Sequence, residues 1–351
     1  MRSMVEGACA SPPPSRCARH LPRKRGRICF PHRSGQLMPG GCTDGWNATR
    51  YGHLRMTITV TPFANAGCGA DIGGVDIRRP LTPAERDAIR AAWLEHLVLR
   101  FRDQPMTDSE HMAFTRQFGE LEFAPSKLME KSYGVGTEAA GRRDDLPPEI
   151  TVISNIVEGG KPIGGLGDGE AFWHTDSSFV EVPPAASLLR AIEVPPAGSG
   201  GSTYFLNMYA AYETLPAEVK KRIDGMTAIH AATHNSGGRP HKGFETVADV
   251  SQVPGARQPL VRTHPETGRK ALFLGRRINA YVVGLPVAES EALLDFLWEH
   301  ACQERFTWRQ DWRVGDLVWW DNRCAMHRRD AFDPSTRRLM HRTQLRGTRP
   351  V

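Results

Sequence analysis

Strand-like runs crowd the middle and the end of this 351-residue chain, with no regular alternation of strand and helix. ITVISNIV (150–157), AASLLRAIEV, STYFLNMYAAY, ALFLG, DLVWWDN and RRLMHRTQL are short, rich in β-branched, aromatic or aliphatic residues, and bounded by turn residues, as is MTITVTPF near Met56. Helical patterns lie elsewhere. Thr82 and Glu85 form a capping box with Pro83 in the first turn, and Ile89, Ala92, Trp93 and Leu97 follow at helical spacing. Thr107 and Glu110 repeat the box, while LPAEVKKRIDGM and ESEALLDFLWEHACQ supply later helices. A parallel sheet needs a crossover helix between successive strands. This order therefore excludes a dinucleotide-binding sheet and predicts an antiparallel sandwich or barrel, mainly β with helical decoration. Residues 227–269 read as loop-rich. Residues 124–171 read as a long connection whose glycine-rich KPIGGLGDGE suits a loop beside a site. Those glycines do not join a strand to a helix and no GKS or GKT follows, so they are not a phosphate loop.

The net charge of +6 misleads, because residues 1–55 carry +8 and leave −2 on residues 56–351. A near-neutral body argues against nucleic acid as a partner, and no run of about 18 apolar residues suggests a membrane span. Cys9, Cys17, Cys29 and Cys42 fall in the basic segment at spacings that match no zinc ribbon, and Cys68, Cys302 and Cys324 are scattered. A reducing, cytoplasmic compartment is expected rather than a disulfide framework. Residues 1–55, rich in Pro, Gly and Arg, are expected to be a disordered or mis-assigned extension ahead of a start at Met56, with 56–351 as a single domain.

FWHTDSSF (172–179) carries the first chemical signal. In an extended segment His174 and Asp176 face one side, roughly 7 Å apart. They could share a metal ion, or be a polar pair on a solvated face. In GDLVWWDNRCAMHRRD, His327 follows a buried-looking strand where a turn could return it to the core. Two histidines and a carboxylate suit Fe(II) with open coordination positions; the alternative is an exposed loop histidine. In STRRLMHRTQL, Arg338, Met340, Arg342 and Gln344 share one strand face, with the two arginines roughly 13 Å apart. Turned into a barrel, two cations need two anions, and arginine suits bidentate capture of carboxylate or sulfonate. On an edge strand they would be solvated.

Residues 57–348 resemble the iron(II)/2-oxoglutarate dioxygenases of the taurine dioxygenase and 2,4-dichlorophenoxyacetate dioxygenase (TauD/TfdA) family, with motifs nearest the latter. WHTDSSF, GGST at 200–203, LNMYAAYETLP, GLPVAESEALLDFL, WDNRCAMHR and RRLMHRTQL carry the resemblance, in the family's order. It implies a double-stranded β-helix (jelly roll), with His174, Asp176 and His327 as ligands of Fe(2+) and with 2-oxoglutarate and O2 as cosubstrates. It implies that Arg338 holds the far carboxylate of 2-oxoglutarate, that Thr203 hydrogen-bonds the cosubstrate, and that Arg342 faces the anionic group of the prime substrate. Similarity of FGELEFAPSK to the phenoxyacetate enzymes adds Lys127 as a substrate contact, and Asn155 in VISN would line the same pocket. HNSGG (234–238) likewise favours a small aryloxyalkanoate-like acid over a sulfonate.

The implied reaction is hydroxylation coupled to decarboxylation of 2-oxoglutarate. An aryloxyacetate would break down to a phenol and glyoxylate, and a taurine-like sulfonate would release sulfite. A zinc hydrolase and a non-catalytic ligand-binding barrel are the alternatives. The arginine pair, which hydrolysis does not require, and the complete ligand set weigh against them. The implied partner is a small anionic organic substrate, with homo-oligomerisation left open. As a ligand on a rigid barrel, Asp176 is expected to matter for turnover and little for stability.

Overall fold

The computed structural model describes residues 57–134, 145–241, 243–244 and 247–351, and the expectation for residues 1–55 lies outside them. An eight-stranded sheet runs in the order Thr59–Pro62, Ala70–Gly73, Val98–Phe101, Leu317–Asp321, Ala186–Glu193, Leu339–Leu345, Thr151–Ser154, Gly165–Leu166. A four-stranded sheet runs Thr307–Gln310, Thr203–Asn207, Ala325–Arg329, Ala171–His174. Pairing is antiparallel except at Ala70–Gly73 with Val98–Phe101 and at Thr151–Ser154 with Gly165–Leu166. The two sheets form the expected jelly roll.

Period-two alternation builds the layers. Ala186, Leu188, Leu317 and Trp319 lie under a helical layer with Trp93 and Phe114. Leu189, Ala191, Val318, Trp320 and Met340 point the other way, into a core shared with Phe205 and Met326 of the smaller sheet. Both predicted capping boxes are present, on helices Pro83–His96 and Asp108–Arg116. The second helix covers the outer face of Leu339–Leu345, where Thr115 and Thr343 share a 2.8 Å hydroxyl hydrogen bond. Continuing the alternation past Met340 turns Arg342 and Gln344 inward, and both are buried.

The structure departs from the pattern reading in three places. STYFLNMYAAY is a strand only to Asn207, whose side chain accepts from the Ala210 amide and caps helix Met208–Glu213. The aromatic run resembles a strand, but the cap redirects it. Residues 227–269 are richer in structure than expected, with strands Thr227–Ala231, Gly255–Pro259 and Val261–Thr263. Glycine and proline at the ends of Gly255–Pro259 hid its alternation. The 124–171 connection holds helix Pro125–Tyr133, which starts without a side-chain cap.

Candidate active site

The register of the smaller sheet makes the site. His327 of Ala325–Arg329 pairs directly across from His174 of Ala171–His174, so side chains 153 positions apart in sequence stand side by side with ring centroids 4.1 Å apart. The turn that follows Leu317–Asp321 returns His327 as expected. It is locked by Arg323, which donates to both carboxylate oxygens of Asp321 at 2.8 and 2.7 Å, and by His264, 3.0 Å from Asp321. His264, Asp321 and Cys324 form a second trio of donor atoms. Asp321 is already neutralised there by Arg323, so this trio reads as a polar knot that fixes the turn.

The strand carrying His174 ends at that residue, and Asp176 lies in the turn beyond it. The side chain of Asn322 fixes this turn: it accepts from the Asp176 amide at 2.9 Å and donates to the carbonyls of Asp176 and Pro184. Asp176 Oδ1 thereby lies 3.6 Å from His174 Nε2 and 3.9 Å from His327 Nε2. His174 Nδ1 donates to the Phe172 carbonyl at 2.7 Å, which leaves the Nε2 lone pair facing the shared point. His327 is held by packing, with the Trp320 ring 4.6 Å away. All three groups are buried, and their donor atoms lie within 4.8 Å of one another. This donor set fits a two-histidine, one-carboxylate metal site with open positions.

Electrostatics keeps the three groups in metal-binding form. Burial pushes the His174 imidazole down. Burial, then His174 itself, pushes His327 well below its ordinary value, so both rings stay neutral. Burial opposes ionisation of Asp176, yet the Arg342 guanidinium beside it holds it well below the usual carboxylate range. Arg342 Nη1 donates to both Asp176 oxygens at 2.7 and 2.8 Å. The Ser187 hydroxyl donates to Oδ2 at 2.7 Å, and Gln344 steadies Ser187 at 2.9 Å. The sequence placed Arg342 on the inner face but did not reveal this partner.

Arg338 is 1 % exposed, and its Nε and Nη1 have no hydrogen-bond partner among the described residues. Burial, then the nearby Arg329 guanidinium, pushes it well below an ordinary arginine value. A buried cation without an anion is costly, and a bound carboxylate removes that cost. Thr203 is buried in the same sheet as Arg329, directly across from it in register. Its Oγ1 accepts from Trp312 Nε1 at 2.9 Å, which leaves the hydroxyl proton available to a ligand.

The remaining two expected site residues are held by partners the sequence did not show. Lys127 points to the surface and pairs with Glu130 one turn along its helix at 2.9 Å. Asn155 is a clamp: it accepts from the Arg338 amide at 3.0 Å and donates to the Thr336 carbonyl at 2.8 Å. It thus fixes where Arg338 enters its strand. Sequence reading missed Asn322 and Ser187. The first lies inside the WDN string already quoted, so its signal was present but unassigned. Ser187 carried no signal beyond an inward strand position.

The chain is similar to known proteins over most of its length. The sequence model described as "Taurine catabolism dioxygenase TauD, TfdA family" matches residues 59–344. An alpha-ketoglutarate-dependent 2,4-dichlorophenoxyacetate dioxygenase of Cupriavidus pinatubonensis is 37% identical over 295 residues, covering 82% of this chain and 97% of the relative. A (S)-phenoxypropionate/alpha-ketoglutarate-dioxygenase of Sphingobium herbicidovorans is 33% identical, covering 81% and 93%. The crystal structure of AAD-2 in complex with Mn(II) and N-oxalylglycine matches with a TM-score of 0.66 at 34% identity, covering 84% of this chain and 99% of that one. Alignment of this extent, over the segment that builds both sheets and all three donor side chains, makes the chain a member of the TauD/TfdA family of 2-oxoglutarate-dependent non-haem iron dioxygenases.

Proposed function

We propose that the enzyme hydroxylates a small aryloxyalkanoate acid, with His174, Asp176 and His327 holding Fe(2+). The observation that carries the site assignment is the buried, unpaired Arg338 guanidinium, which calls for an anionic ligand. Arg338 holds the far carboxylate of 2-oxoglutarate, and Thr203 adds its hydroxyl. Asn155 sets the Arg338 backbone, and Asn322 sets that of Asp176. Arg342 keeps Asp176 ionised and presents its remaining N–H groups to the substrate's anion. Bound iron, with 2-oxoglutarate and O2, supplies the oxidising power: 2-oxoglutarate leaves as succinate and CO2 while one oxygen atom enters a substrate C–H bond. On an aryloxyacetate this gives a hemiacetal that splits to a phenol and glyoxylate. The likeness to phenoxyacetate and phenoxypropionate enzymes over more than nine-tenths of their lengths supports this substrate class.

No helix among the described residues is long and apolar enough to cross a membrane. The unpaired Cys68, Cys302 and Cys324 accord with a cytoplasmic setting. The test is a panel of phenoxyacetate, phenoxypropionate, taurine and neutral anisole with iron and 2-oxoglutarate, measuring phenol, sulfite and succinate. Phenol release from the acids is expected. Faster sulfite release from taurine would move the enzyme to the sulfonate branch.

A further inference from the structure

A third arginine enters this site that neither the family motifs nor the strand pattern announces. The Thr175 amide, between His174 and Asp176, donates to the Gly275 carbonyl at 3.0 Å. That bond docks the backbone immediately before Arg276 against the segment carrying the donor side chains. The Gly275 position tolerates no side chain, because an added Cβ would lie 2.3 Å from His230 Nδ1 and its φ is +66°. Arg276 is thereby held to one path. Its guanidinium lies over the Phe179 ring at 5.5 Å, and Nη1 donates to the His234 carbonyl at 2.8 Å.

That carbonyl is the one hydrogen-bond acceptor of this five-donor group among the described residues. Nε is fully enclosed without a partner. No carboxylate among the described residues forms an ion pair with Arg276, and Asp176, the acid whose charge acts on it, is bound by Arg342 and Ser187. Burial lowers Arg276 to about 10, with Asp176 opposing the shift and Arg342 adding to it. Beside the cation stands an apolar wall: Phe179 packs with Leu128, Met129, Val180 and Ala232. A cation lacking its own counter-ion next to an aromatic and aliphatic surface suits an amphiphile with a carboxylate head and an apolar body.

We propose that Arg276 is the specificity-determining anchor for the carboxylate of the prime substrate, acting with Arg342, with the apolar body of the acid against the Phe179 wall. This rests on the aryloxyalkanoate reading above and replaces Lys127 as the second cationic contact. The alternative, a purely structural arginine tying the 234–241 segment to Phe179, predicts that the preference for an anionic ligand does not change when Arg276 is replaced.

The experiment compares wild type with Arg276→Gln, which keeps a donor for the His234 carbonyl but no charge, and with Arg276→Lys. Each enzyme is loaded anaerobically with iron and 2-oxoglutarate. It is then titrated calorimetrically with phenoxyacetate and with neutral phenoxyacetamide, and phenol release is assayed separately in air. In wild type the acid is expected to bind about ten- to hundredfold more tightly than the amide, the scale of a charge-assisted hydrogen bond. Arg276→Gln is expected to lower the ratio about tenfold, leaving the share that Arg342 supplies, Arg276→Lys to restore much of it, and 2-oxoglutarate affinity to stay within about twofold in both. Unchanged acid preference in Arg276→Gln overturns the proposal. So does equal weakening of acid and amide, or a wild type that does not favour the acid. Acid preference that depends on Arg276 without phenol release leaves the anchor standing and overturns the aryloxyalkanoate reading instead.

Discussion

Asp176 shows how a partner changes what a residue is worth. Read as a ligand on a rigid barrel, it looked dispensable for stability. In the structure it is the counter-ion of a buried arginine, with side-chain exposures of 5 % and 7 % for Asp176 and Arg342. Removing one member of such a pair leaves the other charge buried, at about 3–5 kcal/mol. Asp176→Ala should therefore lose turnover and also lower the denaturant midpoint of the metal-free protein. Adding Arg342→Met should recover part of that midpoint without recovering activity. A midpoint equal to wild type in Asp176→Ala would show that Arg342 finds another partner. Lys127 is the opposite case. Its charge meets Glu130 at the surface, where an ion pair contributes little, so Lys127→Ala should leave the KM for a phenoxy acid within about twofold of wild type.

At the scale of elements, the arginine strand was the most legible part of the sequence, because period two alone placed Arg338, Met340, Arg342 and Gln344 on one inward face. Its anchoring was not legible. Asn155 joins the Thr151–Ser154 side to the Thr336–Arg338 segment across more than 180 residues of chain, and no local pattern announces such a contact. Arg338→Ala should raise the 2-oxoglutarate requirement about ten- to hundredfold, the value of a charge-assisted contact. Asn155→Ala should raise it by less while sparing metal affinity. A metal affinity that falls in Asn155→Ala would mean that the clamp serves the whole sheet rather than Arg338. Arg276 and Asn322 were hidden for the same reason: a cation in GRRINA, just beyond a strand-like run, and an asparagine in a turn acquire meaning only once another segment lies against them.

For the molecule as a whole, two buried imidazoles away from the donor trio set an acid limit. Burial pushes His111 and His230 down to about 3, whereas in an unfolded chain a histidine titrates near 6.5. A depressed pKa means the unfolded state takes up the proton first. Their contribution to stability is therefore full above about pH 6.5 and is lost as pH falls towards 3, at about 1.4 kcal/mol per pH unit for each histidine. Urea midpoints measured between pH 7 and pH 5 should fall accordingly, and more shallowly in His111→Asn. A flat profile would contradict the neutral buried assignment.

The cross-strand partnership of His174 with His327 also says where this enzyme is fragile. A displacement of one residue along that ladder would turn His327 to the opposite face of the sheet. The metal centre is thus a readout of strand alignment. Substitutions in the Asn322–Cys324 turn, which touch no reactant, belong among the most damaging to chemistry, and an inherited inactive variant need carry no change at any ligand.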